Sequence, residues 1–99
     1  MDPAKNEDPR LIRRVLLALA AERGPGATFC PSEAALRLGG EWRGRMPAVR
    51  AAAAELAAKG ALACTQRGFP ADPLRTRGPV RLGAPGSRGG PPETRVGEL

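Results

Sequence analysis

The sequence lacks histidine and tyrosine entirely. Histidine is the commonest general base in enzymes, so its absence removes the Ser–His and Cys–His nucleophile pairs. Two cysteines without a histidine cannot complete a tetrahedral zinc site within one chain. The glycines at 24 and 26 do not form a phosphate-binding loop, because the required lysine does not follow them. We therefore expect a protein that is not an enzyme and that has no metal, no cofactor and no small-molecule ligand.

Long hydrophobic runs are also missing. The longest, from Val15 to Ala21, is too short to cross a bilayer and is bounded by Arg14 and Glu22. The first residues are acidic and contain proline, unlike the basic and then apolar start of a signal peptide. These features predict a cytoplasmic protein without a membrane segment.

Acidic residues are scarce relative to basic ones. The chain has 16 Lys and Arg against 10 Asp and Glu, a formal charge of +6. Between residues 9 and 82 the imbalance is larger, with 13 basic and 5 acidic residues. Such an excess favours polyanionic partners such as nucleic acid. Because only two of the basic residues are lysines, the codon usage of a GC-rich genome is an alternative explanation of the charge.

Apolar periodicity predicts two helices in the first half of the chain. The first spans residues 9–22, with Asp8 as its N-cap and a proline at its first position. A short β-type run follows at residues 27–29. The second helix is short, because it begins at Pro31 and stops at the glycine pair at 39–40.

A third, central helix is predicted between Pro47, at the first helical position, and the left-handed cap Gly60. Residues 41–45 are then a linker. One face of the helix should be buried, and its members are Met46, Val49, Ala53 and Leu56. The opposite face has almost no hydrogen-bonding groups, and its members are Pro47, Ala51, Ala54 and Ala58.

The pattern after the central helix changes to a period of two. Residues 61–66 and 79–82 are predicted strands that pair antiparallel around residues 67–78, a proline-rich loop too irregular for a strand. Three helices followed by a two- or three-stranded ribbon is the element order of a winged helix-turn-helix. The predicted fold is therefore mainly α with a small antiparallel β ribbon, in which residues 67–78 form the wing.

The composition predicts one domain with two flexible ends. Residues 1–8 form a polar, flexible N-terminus, and residues 9–82 form the winged-helix domain. Glycine and proline dominate residues 83–99, which cannot bury enough surface to offset their ordering entropy. We expect this tail to be disordered.

Several short motifs between residues 9 and 82 carry a family resemblance. They are Cys30-Pro31-Ser32-Glu33, Trp42-Arg43 with Met46 and Val49-Arg50, Thr65-Gln66 with Gly68 and Asp72, and Gly78-Pro79-Val80-Arg81-Leu82. Together they resemble bacterial proteins grouped as a domain of unknown function, family 3253. The resemblance implies a winged-helix-like fold in a bacterial cytoplasmic protein and brings no catalytic residue, substrate or partner. Ala27 is a departure, since similar sequences are expected to have a basic residue there.

Arginines occur where a winged helix would meet a duplex. The candidate nucleic-acid-binding residues are Arg43, Arg45, Arg50, Arg67, Arg75 and Arg77. The outward face of the central helix is mostly alanine and offers little that reaches base edges. We therefore predict double-stranded DNA binding through phosphates, with weak sequence specificity and a transcription-related role. The alternative is that these arginines are only a solvated surface.

A competing hypothesis is a non-catalytic protein-interaction or dimerisation module that does not bind DNA. Its contact surfaces would be the alanine face of the central helix and Leu17, which lies among the arginines of the first helix.

The two cysteines suggest a second site. Cys30 precedes a helix, where a thiol is often reactive, and it would form a redox pair with Cys64 if their strands were adjacent. The alternative is that both are small buried apolar residues.

Overall fold

The computed structural model describes residues 8–85 and contains three helices and four short strands. Their bounds are α1 Pro9–Arg23, β1 Thr28–Phe29, α2 Pro31–Leu38, α3 Trp42–Ala58, β2 Ala63–Gln66, β3 Phe69–Pro70 and β4 Arg81–Gly83. The predicted mainly helical fold with a small antiparallel sheet is confirmed, and the arrangement is compatible with a winged helix. Residues 1–7 and 86–99, which include most of the predicted flexible ends, lie outside the described residues.

Local signals fix the starts of the first two helices. The side chain of Asp8 accepts a hydrogen bond from the backbone N–H of Arg10 at 2.9 Å, which caps α1 as expected. At the start of α2 the carboxylate of Glu33 accepts a hydrogen bond from the backbone N–H of Cys30 at 3.1 Å. Both helices therefore begin where a side chain satisfies a free backbone donor.

The four strands form one antiparallel sheet in the order β1-β4-β2-β3. Leu82 of β4 lies opposite Phe29 on one side and Cys64 on the other, so these three side chains share the face that enters the core. The helices supply most of the other core residues, which include Ile12, Leu16, Leu19, Ala34, Ala35, Val49, Ala53 and Leu56. Met46, expected in the same stripe, is only partly buried. β4 also runs one residue past the predicted domain end, and its last residue, Gly83, is buried.

The start of the central helix was predicted wrongly. α3 begins at Trp42, so Pro47 lies inside the helix and the predicted linker at 41–45 is largely helical. Proline has no N–H, and the carbonyl of Arg43 therefore lacks its usual partner four residues on. Packing offsets this loss, because Trp42 contacts the core and Arg45 is buried. The predicted end is confirmed, since Gly60 has a positive φ of 77° and follows the last turn of α3.

The wing contains a strand that the sequence did not predict. Phe69 lies opposite Gln66 and Pro70 opposite Thr65, which makes β3 one of the two edge strands of the sheet. Pro70 is tolerated there because an edge strand does not need every N–H for pairing. No helix within residues 8–85 has the length and apolarity needed to cross a membrane.

Candidate nucleic-acid interface

The six predicted arginines fall into two groups, of which the first, Arg45 and Arg50, holds the chain together. Arg45 is only 9% exposed, and its Nε donates to the carbonyl oxygen of Gly39 at 2.6 Å. This contact joins the start of α3 to the end of α2. A guanidinium in that position stabilises the corner between α2 and α3 and is not presented to a phosphate.

Arg50 ties α3 to the wing (residues 67–78). Its Nη1 donates to the carbonyl oxygens of Pro73 at 2.8 Å and Thr76 at 3.0 Å. Its Nη2 donates to the carbonyl oxygen of Gly78 at 2.7 Å. Because one planar group satisfies three carbonyls, it fixes the position of a loop that has little secondary structure of its own.

Arg43 belongs to the second, exposed group. It precedes Arg50 by seven residues, which places the two on the same face of α3, about 10 Å apart along the helix axis. The guanidinium carbon of Arg43 lies 4.5 Å from the ring centroid of Trp42. Since Trp42 packs against the core, this cation–π contact holds the charge of Arg43 at the surface, on the side of the helix that carries the wing.

Arg67 and Gly68 form the tight turn between β2 and β3. Both have positive φ values, 53° and 87°, and such a pair is typical of a two-residue hairpin turn. Asparagine or glycine adopts this backbone conformation more easily than arginine does. The arginine at this turn is exposed and lies at the outer end of the sheet.

The remaining wing arginines are also exposed. The side chain of Arg75 is 88% exposed and lies 3.8 Å from a carboxylate oxygen of Asp72, too far for a strong ion pair. The backbone of Arg77 is fixed, because the side-chain amide of Gln66 donates to its carbonyl oxygen at 2.8 Å and to that of Pro79 at 3.1 Å.

Sequence analysis did not identify Phe69 and Gln66 as parts of this surface. Phe69 is 73% exposed, directly after the turn, and it lies opposite Gln66 across the hairpin. The signal that was available is the dipeptide Arg67-Gly68, which allows a two-residue turn and therefore a returning strand at Phe69.

Most acidic side chains between residues 8 and 85 are paired with arginines, whereas several arginines have no carboxylate partner there. Five of the six acidic residues between 8 and 85 face an arginine, in the pairs Asp8–Arg10, Glu55–Arg13, Glu33–Arg23, Glu22–Arg37 and Asp72–Arg75. The hydrogen bond from Arg23 lowers the pKa of Glu33, and that from Arg37 lowers the pKa of Glu22. Within residues 8–85, no carboxylate pairs with Arg43, Arg67 or Arg77.

The outward face of α3 matches the expectation of a surface poor in polar groups. Its members Pro47, Ala51 and Ala58 are exposed, and Ala54 is partly exposed. The end of this face borders an open apolar groove, which Ala54, Ala57 and Ala58 form with residues 70–73. Leu17, on α1, is 40% exposed. These surfaces are the ones that the protein-interaction hypothesis requires.

The two cysteines do not form the pair considered from the sequence. β4 lies between the strand that precedes Cys30 and the strand that holds Cys64, so about 10 Å separates the two backbones. A disulfide needs α-carbons within about 7 Å. Cys64 also lies on the core face, whereas Cys30 accepts a hydrogen bond from Nη1 of Arg81, on the opposite face, at 2.9 Å. Burial raises the pKa of Cys64 to about 11, which makes it a protonated, apolar-like core residue.

Arg81, which the sequence shows only as part of a family motif, has a structural role that was not predicted. Besides its contact with Cys30, its Nε donates to the hydroxyl of Thr28 and its Nη2 to the carbonyl oxygen of Thr28. It therefore joins β4 to the edge strand β1.

Comparison with known proteins agrees with the resemblance seen in the motifs. No curated protein matches the chain. The family model described as a protein of unknown function (DUF3253) matches residues 9–85, a range that begins with α1 and ends just after β4. The chain therefore belongs to the DUF3253 family of proteins of unknown function.

Proposed function

We propose that this protein binds double-stranded DNA through its phosphates, with weak sequence specificity, by means of α3 and the wing. The observation that carries the proposal is the set of three hydrogen bonds from Arg50 to the wing. They make the wing a fixed extension of α3, so that positive charges on both elements can act on one duplex without a further ordering cost.

The exposed charges on this side support the proposal. Arg43, Arg67 and Arg77 have no carboxylate partner within residues 8–85, and Arg75 has only a distant one. Arginines that are not neutralised by the protein can displace the counterions of a phosphate backbone. Four such contacts predict a loss of affinity on the order of 100-fold between about 50 and about 200 mM salt.

The backbone of Arg67 gives independent support. A non-glycine residue in the left-handed region costs on the order of 1 kcal/mol, and such outliers concentrate at functional sites. An arginine at the turn places a charge at the far end of the wing, which an asparagine or glycine of better backbone fit would not do.

The small side chains on the outward face of α3 support weak specificity. Base recognition in the major groove needs long hydrogen-bonding side chains, and Pro47, Ala51 and Ala54 provide none. The guanidinium of Arg50, a candidate nucleic-acid contact on the same helix, donates its hydrogen bonds to the wing carbonyls. A role in transcription would then depend on general DNA affinity or on a further partner.

The test is a fluorescence anisotropy titration of a labelled, mixed-sequence duplex with the full chain at about 50 and about 200 mM salt. We expect steep salt dependence in the wild type and a shallower slope in Arg67→Gln/Arg77→Gln. The matched control is Arg10→Gln/Arg14→Gln, which removes the same charge from α1 and should retain most of the binding.

Two results would refute DNA binding through the wing. One is the absence of binding at the lower salt concentration, which would favour the interaction module with the alanine face and Leu17 as contact surfaces. The other is an equal loss of affinity in the wing variant and in the α1 control, since net charge alone would then explain binding. Sedimentation at several concentrations would next establish whether the chain associates with itself.

A further inference from the structure

Phe69 is held in an exposed position by well-defined contacts around it. Its side chain is 73% exposed, although the residue belongs to a paired strand. The opposite residue, Gln66, is fixed by two hydrogen bonds to the carbonyl oxygens of Arg77 and Pro79. The ring therefore projects from a hairpin that is anchored on both sides.

The charges beside this ring make its environment suitable for a polyanion. Arg67 lies two residues before Phe69, at the turn, and Arg77 is attached through its carbonyl to the residue opposite Phe69. Neither arginine has a carboxylate partner within residues 8–85. Proteins bind single-stranded nucleic acid by combining an aromatic ring, which stacks on a base, with nearby cationic residues that neutralise the phosphates.

An unpaired base fits this position better than a base inside a duplex. In a duplex both faces of each base are covered by its neighbours, and insertion of a ring between them costs a few kcal/mol for unstacking. A base in a single-stranded extension has a free face and does not incur that cost. Stacking also needs no base-specific hydrogen bonds, which agrees with the small side chains on α3.

We propose that Phe69 stacks on an unpaired base next to the duplex, so that the protein binds duplexes with single-stranded extensions more tightly than blunt ones. This inference rests on the proposed function, because it assumes that α3 and the wing hold the adjoining duplex. It adds to that function a preferred nucleic-acid structure, a junction between double and single strands.

The experiment compares three labelled probes with the full chain at low salt. Each contains the same duplex of about 20 base pairs, two helical turns. The first is blunt, the second has a thymidine tail of about six nucleotides, and the third has an abasic tail of the same length, which keeps the phosphates and removes the bases. We expect the thymidine tail to bind about 5- to 150-fold more tightly than the abasic tail.

Variants at Phe69 separate stacking from apolar contact. Phe69→Leu keeps an apolar side chain without an aromatic face, and it should remove the difference between the two tails. Phe69→Trp should retain the difference. Leu74→Ala, which removes another exposed apolar side chain of the wing, is the matched control and should behave as the wild type.

The outcomes distinguish failure of this inference from failure of the proposed function. Equal affinity for the thymidine and abasic tails overturns the stacking proposal, as does a tail preference that persists in Phe69→Leu. If the wild type still binds the blunt duplex in either case, the proposed function stands. Failure to bind any of the three probes would reject both.

Discussion

Arg50 on α3 donates a hydrogen bond at 2.7 Å to the carbonyl oxygen of Gly78, which lies 28 residues further along the chain. The same guanidinium also holds the carbonyl oxygens of Pro73 and Thr76. A residue that the sequence presents as a candidate DNA contact is thus a structural link between the helix and the wing.

Replacement of this link should destabilise the protein. Arg50→Ala removes three hydrogen bonds to a charged donor and leaves their carbonyls to water, so we expect a loss of about 2 kcal/mol in the free energy of unfolding. Urea denaturation measures it, with Arg14→Ala as a control for loss of an exposed arginine, expected within about 0.5 kcal/mol of the wild type. Equal stability of the two variants would show that Arg50 does not hold the wing.

Replacement of the turn residue Arg67 should increase the stability of the protein and weaken its binding to DNA. Arg67→Asn places a residue suited to the left-handed backbone at φ 53°, and we expect a gain of about 1 kcal/mol in the free energy of unfolding. It also removes a phosphate contact, which should reduce the salt slope of DNA binding by about 0.9. Thermal unfolding and salt-dependent anisotropy measure the two effects, and a variant unchanged in both would contradict a functional reason for arginine here.

Two threonines on the same face of the sheet should respond in opposite directions to the same substitution. The buried hydroxyl of Thr65 has no hydrogen-bond partner within residues 8–85, so Thr65→Val should stabilise the protein by about 1 kcal/mol. Thr28→Val should destabilise it by a similar amount, because the Thr28 hydroxyl accepts a hydrogen bond from Nε of Arg81. In a domain of this size each change corresponds to a shift of about 4–8 °C in Tm, measured by circular dichroism. Tm shifts of the same sign would contradict the assignment of a hydrogen-bonded hydroxyl to Thr28 and an unpaired one to Thr65.

Stability should decrease in acid through Glu33. The hydrogen bond from Arg23 is the largest cause of the lowered pKa of Glu33. The ionised carboxylate therefore stabilises the folded protein fully above the ordinary glutamate pKa of about 4.3. That contribution is lost as the pH falls through the lowered value. Urea midpoints from pH 7 down to about 3 should therefore converge for the wild type and Glu33→Gln. Arg23→Gln should show the same reduced pH dependence, and a constant gap between wild type and Glu33→Gln would refute the link.

The two thiols should differ in reactivity. Burial raises the pKa of Cys64 to about 11, whereas Cys30 is partly exposed. We expect a thiol reagent at neutral pH to modify one cysteine, Cys30, in the native protein and both cysteines in denaturant. The variant Cys64→Ala should lose only the reaction that requires denaturant. The raised pKa also means that Cys64 contributes stability below the ordinary thiol pKa of about 8.5, which is lost as the pH rises towards 11. Native reaction of both thiols would contradict this burial.

The parts of the fold that depend on residues close together in the chain could be predicted from the sequence. The Asp8 cap and the glycine at 60 each depend on neighbouring residues, and each occurs where the sequence predicts it. The antiparallel return of β4 was also predictable, because two short apolar runs flank a single loop.

Tertiary contacts decided what the sequence alone could not. Trp42 and Arg45 extend α3 upstream of Pro47 because they pack against the core and the α2–α3 corner. Local preference alone would start the helix at Pro47, since a proline inside a helix removes one backbone hydrogen bond. The strand order separates Cys30 from Cys64 by inserting β4 between them. Such outcomes depend on residues far apart in the chain, as in the contact between Arg81 and Thr28 across 53 positions.

The candidate site shows the same division. Composition and element order determined that arginines would gather on the central helix and the wing. Only the folded chain determined which of them hold the backbone, as Arg45 and Arg50 do, and which remain exposed, as Arg43, Arg67 and Arg77 do. The physical reason is that a guanidinium binds a carbonyl oxygen as readily as a phosphate, so its role depends on which acceptor the fold brings within reach.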